Sequence, residues 1–256
     1  MSFKTTVQLA KHKHELSNEK RFVKISEREY RSDLPEAAWK NLLQNNNLQT
    51  WKGMILAKGV PEITLYPMLM YELQPQTIIE IGAFNGGSAI WFADIAKALE
   101  IESYVYSTDI DLSLLDEKAK DHPRVQFLEG DSNYIESILP PELLSTLPHP
   151  WFITEDAHVN SAGILEYFHN NGLQSGDYII IEDTNPLMWK RGIKDEKVIG
   201  AYDEDYPDQE TLGERLMAEL ESWLKKHEEE YLIDSYYLDM YGYNVSKNWN
   251  SVLKKV

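Results

Sequence analysis

Two groups of residues in this 256-residue chain have the types and spacing to do chemistry. The first is Glu80-Ile81-Gly82-Ala83-Phe84-Asn85-Gly86-Gly87-Ser88, an acid and three glycines that directly follow the apolar run Thr77–Ile79. An apolar run ending in an acid and a glycine is how a parallel sheet presents a strand's carboxyl end to a ligand, with the turn's backbone amides free to contact it. A dinucleotide would want glycines in the order G-x-G-x-x-G, so that the pyrophosphate can approach the backbone. Here Gly82 and Gly87 hold the outer positions and Phe84 fills the middle one. Glu80 adds a negative charge that suits a cationic ligand better than a diphosphate. Further along, Asp109 closes the apolar stretch Tyr104–Thr108, where an acid can accept hydrogen bonds from ribose hydroxyls. Gly130-Asp131-Ser132 follows Val125–Leu128 as a polar corner able to hold an adenine. A nucleoside with a positive centre and no pyrophosphate is S-adenosylmethionine, and that is the cofactor this pattern predicts.

The second group is Glu155-Asp156-Ala157-His158 together with Glu182-Asp183. Each acidic pair closes an apolar run, and in a doubly wound sheet the carboxyl ends of adjacent strands meet at one edge of the ligand crevice. Carboxylates brought together there repel unless a cation or protons neutralise them. A hard divalent ion such as Mg²⁺, bound through oxygen ligands and water, is the simplest solution. His158 follows the same strand, and its ordinary pKa near neutrality suits removal of a proton from a hydroxyl. His12, His14, His122, His149, His169 and His227 lack such a setting and read as surface or structural residues.

Both groups need strands that end at one sheet edge and helices that cover the sheet's faces. Apolar runs at about 77–81, 104–108, 125–128, 151–154 and 177–182 read as strands, with helices between them at about 88–99, 112–119, 132–139 and 161–171. From Pro61 to Leu73, the residues Ile63, Leu65, Leu69, Met70 and Leu73 recur at three- and four-residue spacing, which predicts a helix feeding the first strand across Gln74-Pro75-Gln76. That alternation is the signature of a doubly wound, mostly parallel α/β sheet. An amphipathic helix is expected at about 209–228, and Tyr231–Leu238 and Trp249–Lys255 read as a closing strand pair joined by a turn around Gly242. The acidic segment Asp195–Asp208, with Gly200, Tyr202, Tyr206 and Pro207, lacks apolar periodicity and reads as a mobile excursion beside the site. Trp189, Tyr202 and Tyr206 are the aromatics expected at the site's mouth. Residues 1–60 read as an amino-terminal extension with a loop signal at Asn45-Asn46-Asn47, and residues 61–256 as the ligand-binding domain.

Composition narrows the partners. A formal net charge of −17 disfavours nucleic acid and anionic membranes, because each phosphate contact would work against self-repulsion. With no cysteine, disulfides and thiolate metal sites are excluded, so a metal must use oxygen or histidine ligands. The amino terminus alternates Lys, His and Glu, without the apolar core of a signal peptide, and no apolar run approaches a membrane span. A cytoplasmic protein acting on a small molecule is the expectation.

The stretch Tyr66–Ser88, together with Glu155-Asp156-Ala157-His158 and Gly176–Asp183, resembles the cephalosporin hydroxylase family. Members of that family are class I S-adenosylmethionine-dependent methyltransferases, related to rhamnosyl and macrolide-sugar O-methyltransferases. The resemblance covers about residues 50 to 190 well and the carboxyl-terminal strands loosely. It implies a Rossmann-like methyltransferase sheet with an antiparallel carboxyl-terminal strand pair. It also implies cofactor contacts at Glu80, Gly82, Asn85, Gly86, Ser88, Asp109 and Asp131, and a Mg²⁺ site at Glu155, Glu182 and Asp183. The family usually carries Asp three residues before the histidine, where this chain has Glu155 with Asp156 beside it. A longer Glu155 arm reaching the metal, and Asp156 taking over the role, both remain open. The activity implied is Mg²⁺-dependent methylation of a hydroxyl on a small natural product, by a homo-oligomer assembled through the amino-terminal region. The rivals are a carbon or nitrogen methyltransferase on the same fold, and a cofactor-binding partner of an oxidase without chemistry of its own.

Overall fold

Ile78, Ile79 and Ile81 are withdrawn from solvent, so the run Thr77–Ile81 has no face to offer water and takes a central place in a sheet. In this computed structural model the described residues are 2–18, 20–45, 48–189 and 209–256, and they build an eight-stranded sheet around that run. Its strands are β1 (Phe22–Val23), β4 (Thr77–Ile81), β5 (Tyr104–Asp109), β6 (Val125–Glu129), β7 (Trp151–Glu155), β8 (Tyr178–Ile181), β9 (Tyr231–Asp234) and β10 (Val252–Lys255). A separate hairpin pairs β2 (Thr50–Trp51) with β3 (Met54–Ile55). The spatial order is β1-β9-β10-β8-β7-β4-β5-β6. Pairing is parallel from β8 through β7, β4 and β5 to β6, and antiparallel where β10 joins β8 and β9 and where β1 joins β9.

The winding reverses at β4. The chain lays β5 and β6 on one side and then crosses to add β7 and β8 on the other, which opens a crevice at the carboxyl ends. Register aligns those ends: Ile81 lies beside both Thr108 and Glu155, Glu155 beside Ile181, and Asp109 beside Glu129. Both sequence-predicted groups therefore emerge along one sheet edge.

The helix Val60–Leu73 starts after Gly59 with Pro61 in its first turn, where the missing N–H has no helical partner to lose, and stops at Gln74 in the left-handed conformation. It packs with the helix Gly87–Ala98 through Tyr66, Trp91 and Phe92, and the rings of Tyr66 and Phe92 each meet Phe152 of β7 at a centroid distance of 5.6 Å. Trp91, Phe92 and Phe152 are buried, so truncating any of them to Ala costs about 3–5 kcal/mol. The helices Ser161–Asn170 and Gln209–Lys226 pack on each other and bury Ile164, Leu165, Phe168, Leu220 and Trp223. No helix of the described residues is long and apolar enough to cross a membrane.

Three predicted elements differ. The expected helix at 112–119 is a single 3-10 turn, Leu112–Leu114, followed by turns. Asp111 accepts from Ser113 N, Asp116 accepts from Lys118 N, and Asp116 N donates to Asn85 O, so local caps and the glycine turn consume the backbone groups a helix would use. The stretch 132–139 divides into a 3-10 turn, Ser132–Tyr134, capped by Asp131, and the short helix Ile135–Ile138. The strand expected over Tyr231–Leu238 ends at Asp234, whose side chain accepts from Tyr236 N and caps the short helix Ser235–Leu238. The expected turn at Gly242 is present, with Gly242 N donating to Asp239 O, but the rest of the connection to β10 runs inside the molecule, since residues Asn244 to Ser251 are all buried. The Asp195–Asp208 segment, with Tyr202 and Tyr206, lies outside the described residues, as do Asn46 and Asn47.

Residues near the amino terminus join this carboxyl-terminal edge. Arg21 donates to both oxygens of Asp234, at 2.8 and 2.6 Å, beside β1. Arg28 donates to Asp239, Asn244 and Asn250.

Candidate active site

Gly82 ends β4 at φ +100°, and a Cβ there would lie 2.8 Å from the carbonyl carbon of Asp156. Only glycine lets the turn after β4 lie against the turn after β7 this closely. Gly87 is needed for a different contact: its Cβ would fall 1.9 Å from Ile55 O, so the hairpin β2–β3 closes directly on the helix start. Asp109 Oδ2 accepts from Phe84 N at 2.7 Å and Oδ1 from Asp111 N at 3.2 Å, tying the end of β5 to the glycine turn. Phe84, at φ +48°, is turned out to solvent. Asp131 accepts from Asn133 N and caps its 3-10 turn, while Gly130 N donates to Asp109 O. Asn85 Oδ1 accepts from Gly87 N, and Asn85, Gly86 and Ser88 lie at the helix entry. Glu80 is fully buried beneath this turn, where Ser107 Oγ donates to Oε2 at 2.6 Å. Burial raises its pKa, against the charge of Lys58 and the hydroxyls of Ser107 and Ser88.

Beyond β7 the two acids take different jobs. Glu155 turns into its own loop: Oε1 accepts from Ala157 N and His158 N, and Oε2 accepts from Ser161 Oγ at 2.6 Å. Asp156 faces the crevice, with Oδ1 at 3.0 Å from His158 Nε2 and Oδ2 accepting from Lys58 Nζ at 2.8 Å. Asp183 lies across from them, its Oδ2 at 3.6 Å from His158 Nε2. His158 and Asp183 are held at φ +60° and +56°, a conformation that stores strain and recurs at functional sites. Of the two acids left open by the sequence, Asp156 is the one that reaches the cluster, because the oxygens of Glu155 are spent on the loop that carries His158.

Two lysines complete the site, and sequence reasoning missed both. Lys58, between β3 and the helix Val60–Leu73, is buried and donates to Glu182 Oε1 at 2.6 Å as well as to Asp156. Lys247, in the buried connection before β10, lies 2.6 Å from Asp183 Oδ1, out of line for a hydrogen bond. These ammonium groups supply much of the neutralising charge that the sequence assigned to a metal. The only sequence signal was a lysine set among apolar or small residues, as in Ile55-Leu56-Ala57-Lys58-Gly59. Burial opposes the charge on both lysines, but the surrounding carboxylates outweigh it and raise their pKa values. For Asp156, burial is likewise outweighed, here by Lys58, His158 and Lys247, which hold the carboxyl well below its usual range. Glu182 goes the other way, raised by burial and by the charge of Asp156. Burial disfavours the imidazolium of His158, yet its hydrogen bond to Asp156 and the charges of Asp156, Asp183 and Glu155 raise its pKa overall.

The donors fit a hard divalent ion. Asp156, His158 and Asp183 each offer a ligand atom, and these atoms lie within 4.8 Å of one another. Glu182 Oε2 is buried without a hydrogen-bond partner, the state expected of an oxygen kept for a cation, whereas Asp183 Oδ1 already faces the Lys247 ammonium. Trp189 stands edge-on to His158 at 5.3 Å, donates to Asp183 O, and rests on Gly213, where a Cβ would lie 2.3 Å from its Cγ. On the far side of Trp189 is a cavity of about 570 Å³, lined by Tyr30, Pro186, Leu187, Met217 and Ala218 among others, a size suited to a small-molecule ligand.

The family model described as Rhamnosyl O-methyltransferase/CmcI matches residues 44–255. A "Rhamnosyl O-methyltransferase" of Mycobacterium leprae (strain TN) is 29% identical over 170 residues, spanning 63% of this chain and 73% of the relative. Among solved structures, CmcI in an apo form superposes with a TM-score of 0.61 at 26% identity, over 82% of this chain and 77% of that one. A CmcI structure with Mg and SAM superposes at 0.59 and 27% identity, over the same shares. The glycine turn, the switch-point crevice and these likenesses agree: the chain belongs to the Rhamnosyl O-methyltransferase/CmcI family and is an S-adenosylmethionine-dependent methyltransferase.

Proposed function

We propose that this chain transfers the methyl group of S-adenosylmethionine to a hydroxyl of a small natural product, with Mg²⁺ assisting. The observation that carries this reading is the convergence of His158 with Asp156 and Asp183 at the crevice edge, next to the glycine turn. In the proposed site Glu80, Gly82, Asn85, Gly86, Ser88, Asp109 and Asp131 form the cofactor side. Asp109 keeps acceptor capacity for ribose hydroxyls beyond its bonds to Phe84 N and Asp111 N. Asp156, Asp183 and the open oxygen of Glu182 would hold Mg²⁺, which supplies orientation of the acceptor hydroxyl and stabilisation of developing negative charge. Asp156 orients the His158 ring through Nε2, which leaves the other ring nitrogen, Nδ1, to take the hydroxyl proton. The oxygen then attacks the methyl carbon in line, an O–C bond forms as the C–S bond breaks, and S-adenosylhomocysteine leaves. Much of the acceleration would come from holding acceptor and cofactor together.

A sugar hydroxyl, as in the name of the mycobacterial relative, is the acceptor class to screen first, its body resting in the cavity beside Trp189. Lys58 and Lys247 favour one alternative, an O-methyltransferase in which the ammonium groups alone balance the acids and the metal is dispensable. One assay separates the two. The purified protein is incubated with labelled S-adenosylmethionine and hydroxylated glycosides, before and after exhaustive chelation. Label transfer that stops on chelation and returns with Mg²⁺ supports the first reading; transfer indifferent to chelation supports the alternative; no transfer to any hydroxyl, with transfer to carbon or nitrogen acceptors, overturns both.

A further inference from the structure

A second constellation lies at the other end of the helix Ser161–Asn170. His169 is in its last turn, His227 directly follows the helix Gln209–Lys226, and Glu230 leads into β9. Two segments thus deliver the three side chains, His169 from one helix end and His227 with Glu230 from the single turn that joins the helix Gln209–Lys226 to β9, and ligand atoms of the three lie within 4.8 Å of one another. We propose that His169, His227 and Glu230 form a site for a borderline transition-metal ion of the Zn²⁺ class, which staples the two helices to the sheet edge.

The partners of the remaining atoms argue for this use. His169 Nδ1 lies 3.1 Å from Tyr231 Oη, which leaves Nε2 as the ligand atom. His227 Nε2 lies 3.8 Å from Glu166 Oε2, which leaves Nδ1, and Nδ1 faces Glu230 Oε1 at 3.1 Å. Lys255 Nζ donates to Glu230 Oε2 at 2.8 Å and so aims Oε1 inward. A metal-bound histidine typically has its second nitrogen fixed by a hydrogen-bonding group; His169 has one in Tyr231 Oη, and the Glu166 carboxylate stands 3.8 Å from the second nitrogen of His227. Trp223 stacks on His227 at 4.2 Å and donates to Glu166, holding that ring and its carboxylate in place. Tetrahedral ligation at 2.0–2.1 Å sets donors about 3.3 Å apart. The His227–Glu230 pair already has that spacing, and the His169 ligand atom lies within 4.8 Å of both. Two imidazoles and one carboxylate suit Zn²⁺, Ni²⁺ or Cu²⁺ and not Mg²⁺, which asks for oxygen ligands. All three residues are part-exposed, so an ion can enter and water can fill the remaining position.

The test is calorimetric titration of the chelator-stripped, full-length protein with ZnCl₂ in excess Mg²⁺. One Zn²⁺ per chain should bind in the micromolar range, and His169→Ala and His227→Ala should each weaken it by at least about tenfold. Asp183→Asn should leave that binding intact, since it belongs to the other cluster. Zn²⁺ should raise the melting temperature of the wild type and not of the variants. His227→Gln, which can keep the bond to Glu230, guards against a variant that simply misfolds, with circular dichroism and S-adenosylhomocysteine binding as folding controls. Equal Zn²⁺ binding after loss of both histidines overturns the proposal, as does Zn²⁺ binding that disappears only with Asp183→Asn.

Discussion

Lys58→Met tests whether the acid cluster is balanced by lysine. The side chain is buried and its ammonium touches Asp156 at 2.8 Å and Glu182 at 2.6 Å. Methionine fills the same volume but leaves Glu182 without its one hydrogen bond, since Oε2 already has none. Asp156, held ionised, loses the same ammonium, and stranding a buried charge in this way costs about 3–5 kcal/mol. For a chain of this size that lowers the melting temperature by roughly 6–20 °C. The loss must depend on pH, and its sign follows from Glu182. Its folded pKa is raised to about 8 by burial and by Asp156, against an ordinary value of 4.5. Between those values the folded state binds more protons than the unfolded chain, so stability falls as pH rises through the window. Removing Lys58 takes away an influence that lowers this pKa, so the fall steepens and extends to higher pH. The variant should therefore lose up to about 0.8 kcal/mol more at pH 8.5 than at pH 6, because the wild type itself holds the Glu182 proton through most of that window. Adding Glu182→Gln should recover most of the loss, and Mg²⁺ should raise the variant's melting temperature more than the wild type's. Differential scanning calorimetry across pH reads all of this. A melting temperature within about 2 °C of wild type at alkaline pH, or a loss unaffected by pH, refutes the reasoning.

His158→Ala should lower kcat by about a hundred- to ten-thousandfold while leaving S-adenosylhomocysteine affinity little changed. In the wild type, the ascending limb of kcat/KM against pH should lie above the ordinary histidine value of 6.5, because the bond to Asp156 and the nearby carboxylates outweigh burial; a limb at or below that value removes His158 as the base. Asp109→Ala should weaken S-adenosylhomocysteine about ten- to a hundredfold in calorimetry, with no comparable binding of NAD to the wild type. Asp156→Asn should abolish Mg²⁺ binding, whereas Glu155→Gln should keep it and instead cost about 1–3 kcal/mol of stability through the loop that Glu155 secures; the reverse pattern returns the ligand role to Glu155.

The frame of this molecule was legible because it is written in periodicity. The Ile-rich run at β4 and its counterparts at β7 and β8 announce strands buried on both faces, β5 and β6 follow them toward the sheet's edge, and the turn residues after them mark the ligand edge. Where the reading lost accuracy, short-range polar bonds had won over helix propensity, as at Asp111 and Asp116. The site was legible only in part, and for a specific reason. Sequence shows which acids follow a strand, but the direction of each side chain is set by hydrogen bonds a few residues on, and three of them turn Glu155 away from the crevice.

The lysines were less visible still, because each arrives from a distant segment through tertiary packing alone. Lys247 is brought in by a buried connection in which Ser246 Oγ and Lys247 N both donate to Glu62 Oε1, and Asn248 Oδ1 accepts from Asp183 N. That connection places an ammonium beside Asp183 and holds the strained Asp183 backbone with a neighbouring side chain. The rule that carboxylates crowded at a strand edge need positive charge was sound. What it could not say is how much of that charge the chain itself provides. Lys58 and Lys247 hold the acids together before any ion arrives, so a cation entering here must compete with them for Asp156, Glu182 and Asp183. Mg²⁺ affinity in this chain should therefore rise when either ammonium is removed, and a fall in affinity would mean that the lysines arrange the ligands rather than compete for them.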